Sequence, residues 1–456
     1  MGKQTEWKGT SVVVLGLARS GVAVAKLLHQ LGAKVVANDL KSRLECPEAS
    51  QLEKLGIPVI CGEHPEDLVH GGIDLLVKNP GIPYIAKPVQ QAIALNIPVV
   101  TEVEIAGQQS LAPIVGITGS NGKTTTTTLV GKMLTAGRVQ HRVAGNIGQA
   151  LTEVILDLHE DEWLIAELSS FQLKGTVHFQ PQVAALLNID QAHLDYHQTM
   201  EDYIFSKSKI FENQTEDNVA VLHADQPVCV ELAKKINSKI YWFSRTQPVH
   251  SGVYIQDDWI ISNLSGMDEK ILPVSEVALK GDFNLENALA AIAIAMACQC
   301  PWEGIQETLR TFQGVEHRLE YVDTIEDVKY YNNSKATNVR AALKSIQAFT
   351  EPIVLIAGGL DRGVDFKELV PELKNKVKAV VGYGETASIF LERAKEAGIQ
   401  ERHEVQDVFE AVTIAQKLAQ PGDIVLLSPA CASWDLYTSF EERGSIFKQA
   451  VHSLHV

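Results

Sequence analysis

The sequence predicts an α/β protein of three domains, each organised around a mostly parallel sheet. Three observations lead there. Short β-branched runs alternate with helical patterns along the chain. One such run passes into a Gly-rich turn that opens a Thr-rich helix. The length, 456 residues, is about three times the roughly 150 residues of an ordinary domain.

The runs at 11–15, 34–37, 58–61, 74–77 and 98–101 predict a Rossmann-like sheet with crossover helices over residues 1–101. A second series, at 113–118, 163–168, 183–189, 218–223 and 240–243, predicts a central P-loop ATPase-like α/β domain over 102–314. The Ala-rich stretch 288–298 is too short to span a bilayer and reads as a buried helix. A third series, at 352–357, 378–382 and 423–428, predicts a C-terminal Rossmann-like domain over 315–456. Neither Pro/Gly-rich linkers nor repeats separate the three, so clefts between closely joined domains are the expected place for ligands.

Composition narrows the partners. Forty Lys and Arg against 56 Asp and Glu leave a net charge of −16, which argues against nucleic acid or an anionic membrane as a general partner. Anionic ligands then need local positive sites. The cysteines, at positions 46, 61, 229, 298, 300 and 431, lack C-x-x-C spacing, so neither a zinc cluster nor a disulfide framework is indicated. With no apolar signal region in the opening MGKQTEWKGT, a cytoplasmic protein is expected.

The strongest local signal is PIVGITGSNGKTTTT, residues 113–127. Gly119 and Gly122 let the backbone curl so that the amides of Ser120, Asn121 and their neighbours point at phosphate oxygens. Lys123 brings a point charge, and Thr124 followed by Thr125 brings hydroxyls suited to Mg²⁺ and phosphate. The strict G-x-x-x-x-G-K-[ST] pattern places its first Gly at 117, which is Ile117, so the loop is a variant. Glu167 ends the run DEWLIAEL and is placed to reach a metal ion at the carboxyl edge of its strand.

VVVLGLARSG, residues 12–21, resembles a dinucleotide fingerprint, but Ala18 occupies the second Gly position, where close pyrophosphate approach needs a missing Cβ. A nicotinamide dehydrogenase is disfavoured. The helix start at Arg19, Ser20 and Gly21 still suits a phosphate, Asp39 suits a ribose or base, and the KNPGIP turn with Asn79 and Gly81 faces the same crevice. In LLNIDQAHLDYH, His193 and His197 stand four apart, yet HLDYH lacks the Glu of a zinc hydrolase. His193 alone suits a metal or phosphate contact.

Taken together, GITGSNGKTT at Gly116, AGNIG at Ala144, ELSSFQL at Glu167, NIDQAHLDYH at Asn188, YIFSKSK at Tyr203, GDFNLEN at Gly281, GVEHRLE at Gly314, NSKATN at Asn333, GGLDRGVDF at Gly358 and SPACASWD at Ser428 resemble the Mur ligases over nearly the whole chain. The last two motifs are similar to those of the D-glutamate-adding branch. The resemblance implies a cytoplasmic ATP-dependent ligase of peptidoglycan precursor synthesis, working as a monomer. In that chemistry ATP phosphorylates the terminal carboxylate of UDP-N-acetylmuramoyl-L-alanine, and the D-glutamate amine displaces phosphate.

The resemblance also implies roles. Lys123, His193 and Lys207 are the catalytic set. Mg²⁺ occupies two sites through Thr124, Glu167, His193 and Lys207, the last as its carbamate. ATP is met by the loop residues 119–125 together with Asn287, Arg318 and Asn333. The UDP substrate is met by Arg19, Ser20, Gly21, Asp39, Asn79, Gly81, Asn146 and His193, and D-glutamate by Lys335, Thr337, Arg362, Ser433, Trp434 and the Phe440 backbone. Arg362 stands where the family pattern has Lys, and Trp434 where it has a smaller apolar residue. A P-loop module that hydrolyses ATP to drive motion is the rival reading, separable by whether phosphate release requires both co-substrates.

Overall fold

The computed structural model describes residues 6–191, 194–279 and 281–455, and the chain divides into two compact units, one up to Phe312 and one from Gln313. The first unit holds two sheets. Strands β1 (Ser11–Leu15), β2 (Lys34–Asp39), β3 (Val59–Cys61), β4 (Leu75–Lys78) and β5 (Val99–Val100) form a wholly parallel sheet of order β3-β2-β1-β4-β5. The order reverses between β1 and β4, so the loops after Leu15 and Lys78 open onto one crevice, where ligands of such sheets bind.

The second sheet has nine strands. These are β6 (Ile114–Thr118), β7 (His141–Gly145), β8 (Trp163–Glu167), β9 (Val183–Leu186), β10 (Val219–His223), β11 (Lys239–Ser244), β12 (Gly252–Gln256), β13 (Trp259–Ser262) and β14 (Glu269–Pro273), in the order β14-β13-β12-β11-β10-β9-β6-β8-β7. The β12–β14 meander is antiparallel and extends the parallel part. The apolar stretch expected to be a buried helix lies in the helix Asp282–Ala297, whose residues from Asn287 to Ala295 are all buried.

One hydrophobic cluster runs through both sheets. Val12, Val14 and Val24 of the first sheet's layer join Val103 and Ile105 of the helix Glu102–Gln109, Leu151 and Val154 of the helix Leu151–Val154, and Leu164 and Leu186 of the second sheet. At about 25 cal/mol per Å² of apolar surface removed from water, this shared layer binds the two sheets into one unit.

Its polar pins are buried carboxylates. Glu104 accepts the amides of Val177, His178 and Phe179, and Glu102 accepts the Thr152 amide at 2.7 Å and its hydroxyl at 3.0 Å. Burial pushes the Glu102 carboxyl up to about 7. A carboxyl raised on folding makes the native state bind the extra proton, so its stability contribution is lost as pH rises through about 7. We expect Glu102→Gln to melt a few degrees above the parent at pH 8.5 and nearly level with it at pH 5, as followed by circular dichroism. Equal melting at both values would refute this.

The second unit carries β15 (Glu320–Ile325), β16 (Val328–Asn332), β17 (Ile353–Gly358), β18 (Val377–Tyr383), β19 (Glu401–Val405) and β20 (Ile424–Leu427), in the order β15-β16-β20-β17-β18-β19. Only β15 is antiparallel to its neighbour. Two apolar cores lie in this unit, one containing Leu355, Phe390 and Leu426 and the other Val354, Val412 and Phe447. Among the described residues, no helix is long and apolar enough to cross a membrane.

Candidate functional site

β6 ends at Thr118, residues 119–122 form the turn, and the helix Lys123–Ala136 begins. Gly122 caps that helix with φ +80°, in the left-handed region that glycine tolerates. A Cβ there would stand 2.1 Å from Asn287 Oδ1, on the buried helix Asp282–Ala297. We therefore expect Gly122→Ala to cost about 2–3 kcal/mol of local distortion and to weaken binding of an ATP analogue at least tenfold by equilibrium titration. Unchanged affinity would remove the loop from the nucleotide site.

The turn is braced from the next strand over. Asn121 donates its amide to Asn188 Oδ1 at 2.8 Å, and Asn188 returns Nδ2 to the Asn121 carbonyl at 3.2 Å. Ser120 Oγ lies 2.9 Å from the buried Tyr203 hydroxyl. Lys123 Nζ donates to the carbonyls of Gly119 and Ser120 at 2.8 and 3.1 Å, folded back over its own loop. Lys207, 1% exposed, donates to the same Gly119 carbonyl at 2.9 Å. Burial, with Lys123 repelling, holds its amine well below the usual lysine range.

β7 and β8 are parallel neighbours in the register Gly145↔Glu167, and this makes Asn146 and Glu167 partners. Asn146 Nδ2 donates to Glu167 Oε1 at 2.8 Å, while Oε2 is buried with no hydrogen-bond partner among the described residues. An orphaned carboxylate oxygen fits a divalent cation, which prefers such hard oxygen donors. Thr124, 7% exposed, supplies an alcohol oxygen one residue beyond Lys123. His193 lies outside the described residues. Among the described residues, no three His, Cys, Asp or Glu side chains come together as a metal cluster.

The loop also forms one wall of a cleft of about 700 Å³. Lys123, Asn146 and Phe171 line it from the second sheet, and Arg19, Ser20, Asn79 and Gly81 from the first. Arg19 is anchored there by the Gly148 carbonyl at 2.6 Å and by Glu153 at 3.1 Å, and Asn79 Nδ2 donates to Ser20 Oγ at 3.1 Å. Gly21 and Asp39 are not among the lining residues. A Cβ on Gly21 would fall 1.9 Å from the Gly16 carbonyl, so its smallness serves helix packing. Asp39 accepts the amides of Leu17 and Lys41 at 2.7 and 2.9 Å, which sets the turn after β1. Sequence reasoning missed Phe171, although it lies within the ELSSFQL motif.

In the second unit, β16, β20 and β17 are adjacent, so the segments following their carboxyl ends lie side by side. Asn333, Lys335 and Thr337 follow β16, Arg362 follows β17, and Ser433 and Trp434 follow β20. Asn333 Oδ1 accepts the Leu319 amide at 3.1 Å, next to Arg318, and the His317 carbonyl accepts the Lys335 amide at 3.0 Å. Thr337 donates its amide to the Lys335 carbonyl at 2.9 Å. The Leu360 amide reaches the Ala432 carbonyl at 3.0 Å, tying two of the loops together.

Two cations there lie on aromatic faces, Arg362 over Trp434 at 5.1 Å and Lys335 over Phe440 at 5.1 Å. Ser433 Oγ is buried with no partner among the described residues. The Phe440 carbonyl accepts Ser334 Oγ at 2.7 Å, and the fully buried Arg443 reaches Ser334, Tyr383 and the Cys431 carbonyl.

These features define a class: α/β proteins with a Gly-rich strand-to-helix turn of the phosphate-loop type. Comparison with known proteins makes the assignment specific. Residues 10–101 match the Mur ligase MurD-like N-terminal domain, 117–295 the Mur ligase middle domain, and 317–431 the Mur ligase glutamate ligase domain. The UDP-N-acetylmuramoylalanine–D-glutamate ligase of Geobacillus sp. (strain WCH70) is 50% identical over 99% of this chain and 100% of its own length. The ligase of the same name from Bacillus pumilus (strain SAFR-032) is 47% identical over the full length of both.

Two solved structures share the fold. A UDP-N-acetylmuramate–alanine ligase from Thermotoga maritima has a TM-score of 0.53 at 18% identity, covering 98% of this chain and 99% of that one. A pseudomurein peptide ligase type C from Methanothermus fervidus has a TM-score of 0.51 at 16% identity, covering 98% and 100%. The chain belongs to the Mur ligase family. It is a ligase.

Proposed function

We propose that this ligase adds D-glutamate to UDP-N-acetylmuramoyl-L-alanine at the expense of ATP. The observation that carries the reading is the single cleft in which Lys123 of the phosphate loop faces Arg19, Asn79 and Asn146, on a chain half identical to ligases bearing that name. Residues 1–101 serve the UDP substrate, 102–314 ATP and 315–456 the amino acid. The enzyme works as a cytoplasmic monomer on small molecules.

Every reactant is an anion, so the first task is to hold like charges together. Lys123 and the amides that open its helix bind the triphosphate, while Arg19, Ser20, Asn79 and Gly81 bind the UDP portion, with Gly21 and Asp39 shaping the turn behind them. A substrate carboxylate oxygen attacks the γ-phosphorus and ADP leaves. The D-glutamate amine then attacks the acyl carbon, loses a proton, and the tetrahedral intermediate expels phosphate to leave the amide. Asn287 and Thr125 steady the loop side of ATP, and Arg318 and Asn333 belong to its binding set.

Thr124, Glu167, His193 and a carbamate on Lys207 would hold Mg²⁺, which would supply charge neutralisation at the phosphates. The carbamate forms when the neutral Lys207 amine adds to the carbon of CO₂ and releases a proton. Lys335, Thr337, Ser433 and the Phe440 backbone receive D-glutamate, with Arg362, presented by Trp434, facing a carboxylate.

The test is product mass after offering ATP, UDP-N-acetylmuramoyl-L-alanine and a panel of amino acids. A single new amide with D-glutamate, and phosphate release that requires both co-substrates, is the expected outcome. Phosphate release without them, or equal use of other amino acids, would overturn the assignment.

A further inference from the structure

Lys78 is the last residue of β4 and is 1% exposed. A buried ammonium costs several kcal/mol unless its surroundings compensate, and here they do so only with neutral groups. Nζ donates to the Asn79 carbonyl at 3.4 Å, the Pro80 carbonyl at 3.2 Å and the Tyr196 hydroxyl at 3.2 Å. The Tyr84 ring lies 4.8 Å from it. Among the described residues, no carboxylate pairs with it.

Asp202, the acid of this box, is taken by Lys174 at 2.7 Å and by His197 at 2.8 Å. Lys174 itself sits 5.3 Å from the Tyr84 ring and 5.8 Å from the Tyr196 ring, a second cation that repels the first. The carbonyl Lys78 holds most closely within its own strand-end turn belongs to Pro80, which with Asn79 and Gly81 forms a wall of the cleft shared by Arg19 and Lys123.

We propose that Lys78 is an electrostatic contact for the substrate's diphosphate: a buried cation, kept without a counter-ion behind the 79–81 turn, whose charge the bound anion balances. This rests on the reading that the UDP-linked substrate occupies the cleft.

Burial, with Lys174 adding repulsion, lowers Lys78 to about 7. An arriving anion favours the charged form, so binding draws a proton onto it. Tyr84, Tyr196, His197 and Asp202, which share the box, are all shifted away from neutrality. Burial raises Tyr84 and pushes Tyr196 up to about 12, while His197 and Asp202 are lowered and Lys174 is paired with Asp202. A diphosphate esterified at both ends has no ionisation there either.

The test is calorimetric titration of the full-length protein with UDP-N-acetylmuramoyl-L-alanine at pH 7.5, in two buffers of different ionisation enthalpy. We expect buffer-dependent heats corresponding to uptake of roughly half a proton, and affinity that falls severalfold between pH 7 and pH 9. Lys78→Gln, which keeps an amide donor and removes the charge, loses the uptake and binds about tenfold more weakly. Buffer-independent heats in the parent protein, or uptake that survives in Lys78→Gln, overturns the proposal. Should the variant fold poorly, the parent's two-buffer comparison still decides. If Asn146→Ala weakens binding while the parent's heats ignore the buffer, the inference alone fails. If the parent binds nothing, the cleft assignment falls with it.

Discussion

Replacing Lys123 by Ala lowers ATP-dependent amide formation by a factor of about 10³, the scale expected when a preorganised charge facing a transferring phosphoryl group is removed. Its ammonium donates to the Gly119 and Ser120 carbonyls at 2.8 and 3.1 Å, within a turn whose Ser120 and Asn121 amides, expected to point at phosphate, are instead donated to Asn188. A triphosphate oxygen is a stronger acceptor than either carbonyl, so the side chain swings to the nucleotide without a change in the loop. The fold does not depend on it, because the turn is braced independently by the Asn121–Asn188 pair. Steady-state phosphate release and a melting curve on the same preparation check this. A variant that melts like the parent and retains a tenth of its activity would remove Lys123 from the chemistry.

Lys207→Ala has an effect of comparable size for a different reason. The side chain is buried at 1% exposure, and its amine is held well below the usual lysine range by burial and by Lys123. Burial favours the neutral, nucleophilic form of this amine, the form that adds to carbon dioxide. We expect loss of about three orders of magnitude in kcat and partial recovery on adding a short carboxylic acid, whose carboxylate fills the vacated space. Lys207→Arg gives no recovery, because a guanidinium stays cationic. Full activity of Lys207→Ala would end the carbamate proposal, and a loss that no acid relieves would favour the bare amine.

Much of the architecture was legible because parallel strands buried on both faces read as unbroken apolar runs, as IVGIT in β6 and IVLIAG in β17 do. The edge strands of the second and third sheets escaped notice, whereas β3 and β5 at the edges of the first were read. HRVAG in β7 and ERHEV in β19 carry charged residues because one side meets water, and the β12–β14 meander offers short segments broken by turns. The phosphate loop was legible from an apolar strand, a Gly-rich turn and the Lys123–Thr124 pair that opens the helix. The bond between Asn146 and Glu167 was not, since it depends on β7 lying beside β8 in one particular register. The KNPGIP turn was legible as part of the crevice, but the burial of its first residue, Lys78, was not. A lysine closing a strand reads as a solvated end, and only the aromatic box around it shows otherwise.

The apolar layer running from Val12 through Val103 to Leu186 also bears on how such a chain can be rearranged. An exchange of the first sheet between relatives, cut after residue 101, would sever that layer from the helix Glu102–Gln109 and expose both faces of the break. Viable chimeras have their junction near Gln313 instead, where one cooperative folding block ends and another starts.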